Sequence, residues 1–261
     1  MWLLAGILYI ISKCISWSVR KRGSAPTWMH LAYLLAWPGM DADTFLYESK
    51  ADNLRLPSVG EWLFAFGKTL FGLGLIIFVT PQLPNVSPYV NGWINLLGMI
   101  MLLHFGLFHL LSCYWRSRGI AAKPIMNWPI LATSLSEFWG QRWNLAFRDL
   151  THRFVFRPLA KRFGIMGALL IGFFVSGLIH DVVISIPAGG GYGLPTCYFL
   201  LQGIGIFVEK SRAGNFIGIR HGFRGRCFST LFLLLPISLL FHHQFVVEVI
   251  VPFFIALRKV L

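Results

Sequence analysis

Acidic side chains are scarce in this chain: 10 Asp and Glu stand against 23 Lys and Arg, and charged residues of either sign make up only 13% of 261. A soluble domain carries about 25% charged residues, so an ordinary water-soluble globule is excluded. Cysteine is sparse as well. Cys14, Cys113, Cys197 and Cys227 show no C-x-x-C spacing, which points away from both a zinc motif and a disulfide framework. They read as small apolar residues in helices. Strict alternation of apolar and polar residues, the mark of a membrane barrel, is missing too. No stretch of soluble composition, internal repeat or low-complexity segment breaks the pattern, so residues 1–261 read as a single integral membrane domain.

What is present is hydrophobic sequence in long runs. Hydrophobic residues reach 56% and aromatics 16%, and several runs approach the ~20 residues that cross a bilayer as a helix. The expected fold is therefore all-α, a polytopic helical bundle with multiple passes through the membrane. Met1–Val19 is apolar and followed by Arg20-Lys21-Arg22; with no basic residues before it and no small-residue cleavage site after it, it reads as a retained anchor. Trp28–Trp37 is too short to span. Val59–Thr80 and Val90–Tyr114 form one pair of spans, Gly164–Ile186 and Tyr192–Val208 another. Phe228–Leu257 is too long for one helix, and Pro236 with His242-His243-Gln244 suggests a hairpin. The count comes to about seven spans plus re-entrant or interfacial helices.

A net charge of +13 on a soluble protein would suggest nucleic acid. Here no folded basic domain exists to bind it, and nucleic acid is not an expected partner. The cations instead gather between spans: Arg116–Lys123, Arg142–Arg162, Lys210–Arg226 and Arg258-Lys259. The positive-inside rule places these segments, with Asp41–Ser58, on the cytoplasmic side. Pro81–Tyr89, Pro187–Gly191 and His242–Gln244 fall on the other side.

Ionisable groups at bilayer depth are costly and are functional candidates by default. Two stretches carry them. In Ser136-Glu137-Phe138-Trp139-Gly140-Gln141-Arg142-Trp143-Asn144, helical spacing puts Glu137, Gln141, Asn144 and Arg148 on one face, and Ser134 with Glu137 fits a capping box. The same stretch also fits an amphipathic helix lying flat at the interface. Some 36 residues after Asn144, His180 ends a four-residue spacing of small residues, Gly172 and Ser176. Such a face admits a helix or a ligand closely, and an imidazole there can take a proton from a hydroxyl. The alternative is a structural histidine bonded to a neighbouring helix. Asp181 points roughly 100° away from His180 and is not expected to orient it. The remaining histidines form no metal constellation, so no metal is expected. Gly189-Gly190-Gly191-Tyr192-Gly193 lacks the preceding strand and following Gly-Lys-Ser of a phosphate loop and reads as a turn.

Phe138-Trp139-Gly140-Gln141-Arg142-Trp143-Asn144 followed by Phe174-Val175-Ser176-Gly177-Leu178-Ile179-His180 resembles the paired motifs of the membrane-bound O-acyltransferases, and of the wax synthase-like branch in particular. Leu34–Asp41 is also similar to the start of that branch. The motif core covers 134–186; Gln141 stands where arginine is usual, and Asp181 where glutamate is common. The resemblance implies a helical bundle around a tunnel, with acyl-coenzyme A as co-substrate from the cytoplasmic side and a lipophilic alcohol arriving from the bilayer, and no further cofactor. It implies His180 and Asn144 as catalytic residues. Glu137, Trp139, Gln141, Arg142, Trp143, Arg148 and Ser176 are then candidate substrate-binding residues. Arg142, Arg148, Arg153 and Arg157 are candidates for the coenzyme A phosphates, or simply positive-inside anchors. The acceptor hydroxyl stays open among fatty alcohol, sterol, diacylglycerol and glycan-linked hydroxyl. Two other classes remain: a non-catalytic lipid-binding or transport protein, and a haem-bearing electron carrier.

Overall fold

The computed structural model of the chain describes residues 1–21, 23–47, 55–83 and 85–259. Arg22 of the basic cluster, residues 48–54 of the Asp41–Ser58 segment and Pro84 of the first turn lie outside the described residues. Among those described, every regular element is helical. We number them α1 (Trp2–Ser18), α2 (Thr27–Ala36), α3 (Ala42–Tyr47), α4 (Val59–Gln82), α5 (Pro88–Ser117), α6 (residues 135–142), α7 (Leu145–Ala188), α8 (Leu194–Lys210), α9 (Arg212–Ile217), α10 (Gly222–Leu240) and α11 (residues 243–258). Four of these, α4, α5, α7 and α10, are long and apolar enough to cross a membrane. The chain divides into two compact units, one of residues 6–126 and 250–261, the other of residues 1–5 and 127–249.

In the first unit α4 and α5 form a hairpin. Ser58 caps α4 by accepting from Glu61 N at 3.2 Å, and Ser87, ahead of Pro88, caps α5. Their backbones cross at Gly72 and Gly98. A Cβ on Gly72 would sit 2.6 Å from Gly98 O and 2.5 Å from Leu102 N, so only the smallest residue fits, as is usual where membrane helices touch. At one end of the hairpin Arg116 pairs with both carboxylate oxygens of Glu61, His109 Nε2 lies 3.0 Å from Glu61 Oε1, and Lys68 Nζ lies 2.8 Å from His109 Nδ1. At the other end Arg258 of α11 donates to Thr80 Oγ1 and to Asn95 Oδ1, both buried. This corrects the expected sidedness of Arg258-Lys259. The charge-counting rule treats each cation as a free interfacial charge, whereas the Arg258 guanidinium is bonded to polar groups beside the Pro81–Tyr89 turn, at the opposite end of the hairpin from Arg116. The segment before α4 is tied down by Lys13, which is 1% exposed, donates to Gly39 O at 2.7 Å and lies over the Tyr33 ring.

In the second unit α7 and α8 run antiparallel, joined by a turn in which Gly189, Gly191 and Gly193 all have positive φ. The long apolar run begins where expected: Gly164 (φ 70°, ψ 173°) breaks α7, and the apolar part follows it. The helices meet at Gly177, where a Cβ would lie 2.6 Å from Thr196 Cα. Asp181 holds the start of α8, accepting from Gly193 N at 2.8 Å, Thr196 N at 3.1 Å, Ser185 Oγ at 2.8 Å and the Thr196 hydroxyl. The carboxylate at that helix start replaces partners that the first N–H groups of α8 otherwise lack. Nearby, His242 packs against Gly191 and Gln244 against Gly190, so the two turns expected on one side do adjoin.

Candidate active site

The expected polar face does not exist as one helix. Residues 135–142 end in a π-helical turn, Phe138–Arg142, closed by Trp143 N donating to Phe138 O at 2.9 Å. Trp143 is extended, and Asn144 takes the left-handed conformation (φ 39°, ψ 61°) before α7 begins at Leu145. Asparagine is among the few non-glycine residues that tolerate this region. Its Oδ1 accepts from Phe147 N at 3.2 Å, so Asn144 is the N-cap of α7. The helical spacing of Glu137, Gln141, Asn144 and Arg148 therefore describes two helices with a break between them.

Ser134 Oγ accepts from Glu137 N at 3.1 Å, one half of the expected capping box. The other half is displaced by a residue: the Glu137 carboxylate takes the N–H and hydroxyl of Thr133, at 2.7 and 2.8 Å, and the Arg142 guanidinium at 2.6 Å. Burial pushes the Glu137 carboxyl up, but Thr133 and Arg142 together hold it below the usual carboxylate range. Arg142 also donates to Asn127 O and Trp128 O.

A cavity of about 420 Å³ lies between α6, α7 and α8. Of the residues picked out from the sequence, it is lined by Trp139, Trp143, Asn144, Arg148, Ser176 and His180. Glu137, Gln141 and Arg142 are not among its lining residues: the first and last form the ion pair above, and Gln141 is exposed, its carbonyl taking Asn127 Nδ2. Within the lining, Arg148 Nη1 donates to Gly140 O at 3.1 Å and Nη2 pairs with Asp149 at 2.7 Å. The Ser176 hydroxyl donates back to Gly172 O at 2.9 Å.

His180 Nδ1 lies 2.7 Å from the Ser176 carbonyl. A carbonyl only accepts, so Nδ1 carries the proton and Nε2 keeps its lone pair. The carbonyl of Ser176, not its hydroxyl, thus sets the tautomer. The imidazole rests against Phe199 with ring centroids 4.4 Å apart, and Trp139 packs on the same Phe199 at 5.7 Å and on Phe173 at 5.6 Å.

Residues from α8 were missed. Besides Phe199, these are Gln202, whose Oε1 takes the Trp139 indole N–H at 3.3 Å, Glu209 at the start of α6, and Lys210 in the cavity lining. Gln202 and Glu209, seven apart in an apolar helix and so on one face, were the available signal. His152 also lines the cavity.

Glu61, His109 and Cys113 bring three ligand-type atoms within 4.8 Å of one another. Arg116 and Lys68 already bond to Glu61 and His109, and their two positive charges oppose a divalent ion. We read the group as an ion-pair network between α4 and α5.

Residues 122–201 match the model of the membrane bound O-acyl transferase family. The chain is 40% identical over 100 residues to "Long-chain-alcohol O-fatty-acyltransferase" of Simmondsia chinensis, covering 35% of this chain and 28% of that protein. It is 35% identical over 169 residues to "Probable long-chain-alcohol O-fatty-acyltransferase 1" of Arabidopsis thaliana, covering 60% of this chain and 48% of that protein. "Acyl-CoA--sterol O-acyltransferase 1" of Arabidopsis thaliana is 37% identical over 68 residues, 23% of this chain and 20% of that protein. In each case the match spans less than half of the relative's length. The match to this family, together with four helices long and apolar enough to cross a bilayer, marks this as a membrane protein.

Proposed function

We propose that the chain transfers a fatty acyl group from acyl-coenzyme A to a lipophilic alcohol, forming an ester and free coenzyme A. The observation that carries this reading is the His180 imidazole, proton on Nδ1 and lone pair on Nε2, lining the same cavity as the Asn144 carboxamide. In the proposed step Nε2 accepts the proton of the acceptor hydroxyl while its oxygen attacks the thioester carbonyl carbon. The carbon–sulfur bond then breaks, and the imidazolium returns the proton to the leaving thiolate. Asn144 Nδ2 donates to the thioester oxygen as charge builds there; one such donor lowers a barrier by about 3 kcal/mol. General-base help adds ~10²–10⁴-fold. No serine or cysteine in the lining has a basic partner to make it a nucleophile, so direct transfer in a ternary complex is favoured over an acyl-enzyme.

Arg148, His152 and Lys210 give the cavity a basic portion, suited to the phosphates of coenzyme A. The names of the relatives, long-chain alcohols foremost and a sterol second, support a lipophilic hydroxyl as acceptor. We further read the chain as a multi-pass bundle of about seven membrane segments around a tunnel: the four long helices with α1, α8 and α11, the last ending beside the Pro81–Tyr89 turn.

The test is transfer from labelled acyl-coenzyme A to a long-chain alcohol, in membranes carrying the wild-type protein or His180→Ala. Wild-type ester synthesis falling by at least ~10²-fold in the variant is expected. Undiminished turnover in His180→Ala sinks the assignment, and lipid binding without thiol release in the wild type favours a binding or transport protein instead.

A further inference from the structure

The far end of α8 holds a carboxylate for which the proposed chemistry has no use. Glu209 is 2% exposed. Its Oε2 accepts from Leu135 N at 2.6 Å and Ser136 N at 3.2 Å, and its Oε1 takes the Ser136 hydroxyl at 2.5 Å. Every helix start leaves its first N–H groups without an intrahelical partner. In α6 the accounting closes: Leu135 N and Ser136 N go to Glu209, Glu137 N to Ser134 Oγ, and Phe138 N to Ser134 O at 3.0 Å. Two of these four bonds are thus supplied by a residue more than 70 positions later in the chain.

The same face of α8 grips α6 a second time through Gln202, which takes the Trp139 indole N–H and donates to Phe232 O at 2.8 Å. Two points of attachment fix both the axial position and the rotation of a rod. Arg220 donates to the backbone carbonyls of Glu209 and Lys210 and immobilises the end that carries the carboxylate. α8 also supplies Phe199, the ring against His180. One helix therefore indexes both cavity walls: the wall of α6 and its exit (Trp139, Trp143, Asn144) and the wall carrying His180.

We infer that Glu209 is a positioning residue of this site, the clamp that sets the Asn144 wall against His180. The inference rests on the acyl-transfer reading for its effect on rate, but not for the clamp itself. Displacing a catalytic wall by about an ångström costs ~10²-fold in rate, without changing how tightly substrate is held elsewhere. Glutamine at 209 keeps an oxygen for Leu135 N, and the Ser136 hydroxyl can turn to accept from its amide. Alanine leaves two buried N–H groups unbonded.

The experiment uses the full chain in lipid nanodiscs, with labelled acyl-coenzyme A and a long-chain alcohol as substrates, and amide hydrogen exchange over residues 135–144 as a second readout. For Glu209→Ala we expect kcat to fall ~10–100-fold with KM for acyl-coenzyme A within ~3-fold, and exchange at Leu135 and Ser136 to accelerate at least ~10-fold. Glu209→Gln should recover most of the rate and the protection. Wild-type kcat in Glu209→Ala, or protected amides at 135 and 136 in that variant, overturns the clamp. Should Glu209→Ala fail to fold, Ser136→Ala decides: a ~3–10-fold fall in kcat at an unchanged unfolding temperature supports it, and an unchanged kcat overturns it. If the wild type makes no ester, the acyl-transfer reading fails, and the exchange measurement alone decides the clamp.

Discussion

Asn144 does two structural jobs, one with its carboxamide and one with its backbone. Oδ1 caps α7, and its left-handed backbone makes the break between α6 and α7. The informative substitution is therefore not alanine, which loses the cap at about 1 kcal/mol and strains the turn by roughly another 1–2 kcal/mol. Asn144→Asp keeps a cap of equal quality and a residue that tolerates the left-handed region. It removes the amide donor. We predict unfolding within about 0.5 kcal/mol of wild type and ester synthesis lowered ~10²–10³-fold, checked by thermal unfolding in detergent beside a turnover assay. If Asn144→Asp turns over normally, the donor role is wrong even though the cap is real. The sequence marked Asn144 and His180 because polar groups stand out in apolar surroundings. It did not reveal that the Ser176 backbone carbonyl would hold His180, because main-chain partners leave no trace in residue identity.

Two predictions belong to the elements. Gly177 sits where α7 and α8 touch, 2.6 Å from the Thr196 Cα for any added Cβ. Gly177→Val should destabilise by about 1–3 kcal/mol through overpacking, read as a lowered unfolding temperature; an unchanged one would mean the helices lie further apart. At the start of α6, Glu137 is held below the usual carboxylate range by Thr133 and Arg142 against the opposing pull of burial. A depressed folded pKa stabilises above the unfolded value of ~4.3 and is lost as pH falls through the folded value. Wild type should be more stable than Glu137→Gln at pH 7, with the gap closing in acid; a gap that persists below that range would count against the ion pair. Helix positions were largely legible, since Val59–Thr80 and Val90–Tyr114 fall inside α4 and α5. The break at Trp143-Asn144 was not. A face drawn through Glu137, Gln141, Asn144 and Arg148 satisfies helical spacing whether or not the helix is continuous, and nothing local signals a π-helical turn.

For the whole molecule, the long apolar runs fixed the helical class because a bilayer leaves little choice of backbone. Sidedness was less accessible, because an arginine bonded to buried polar groups and an interfacial one look alike in sequence. Arg258, bonded to Thr80 and Asn95, yields the sharpest check. We predict that cysteines introduced as Gln82→Cys and Lys259→Cys react with a membrane-impermeant thiol reagent from the same side, and Arg118→Cys from the opposite side. Labelling of Lys259→Cys together with Arg118→Cys would restore the arrangement expected from charge alone.

The break at Gly164 divides α7 into two rods, and the cavity draws on both: Arg148, Thr151, His152 and Phe156 precede it, while Ala168, Gly172, Ser176 and His180 follow. Within α7, the path from Arg148 to His180 thus runs through a single non-helical pair of backbone torsions. A rotation at that joint alone would carry Arg148 and His180 relative to each other while both rods stay intact.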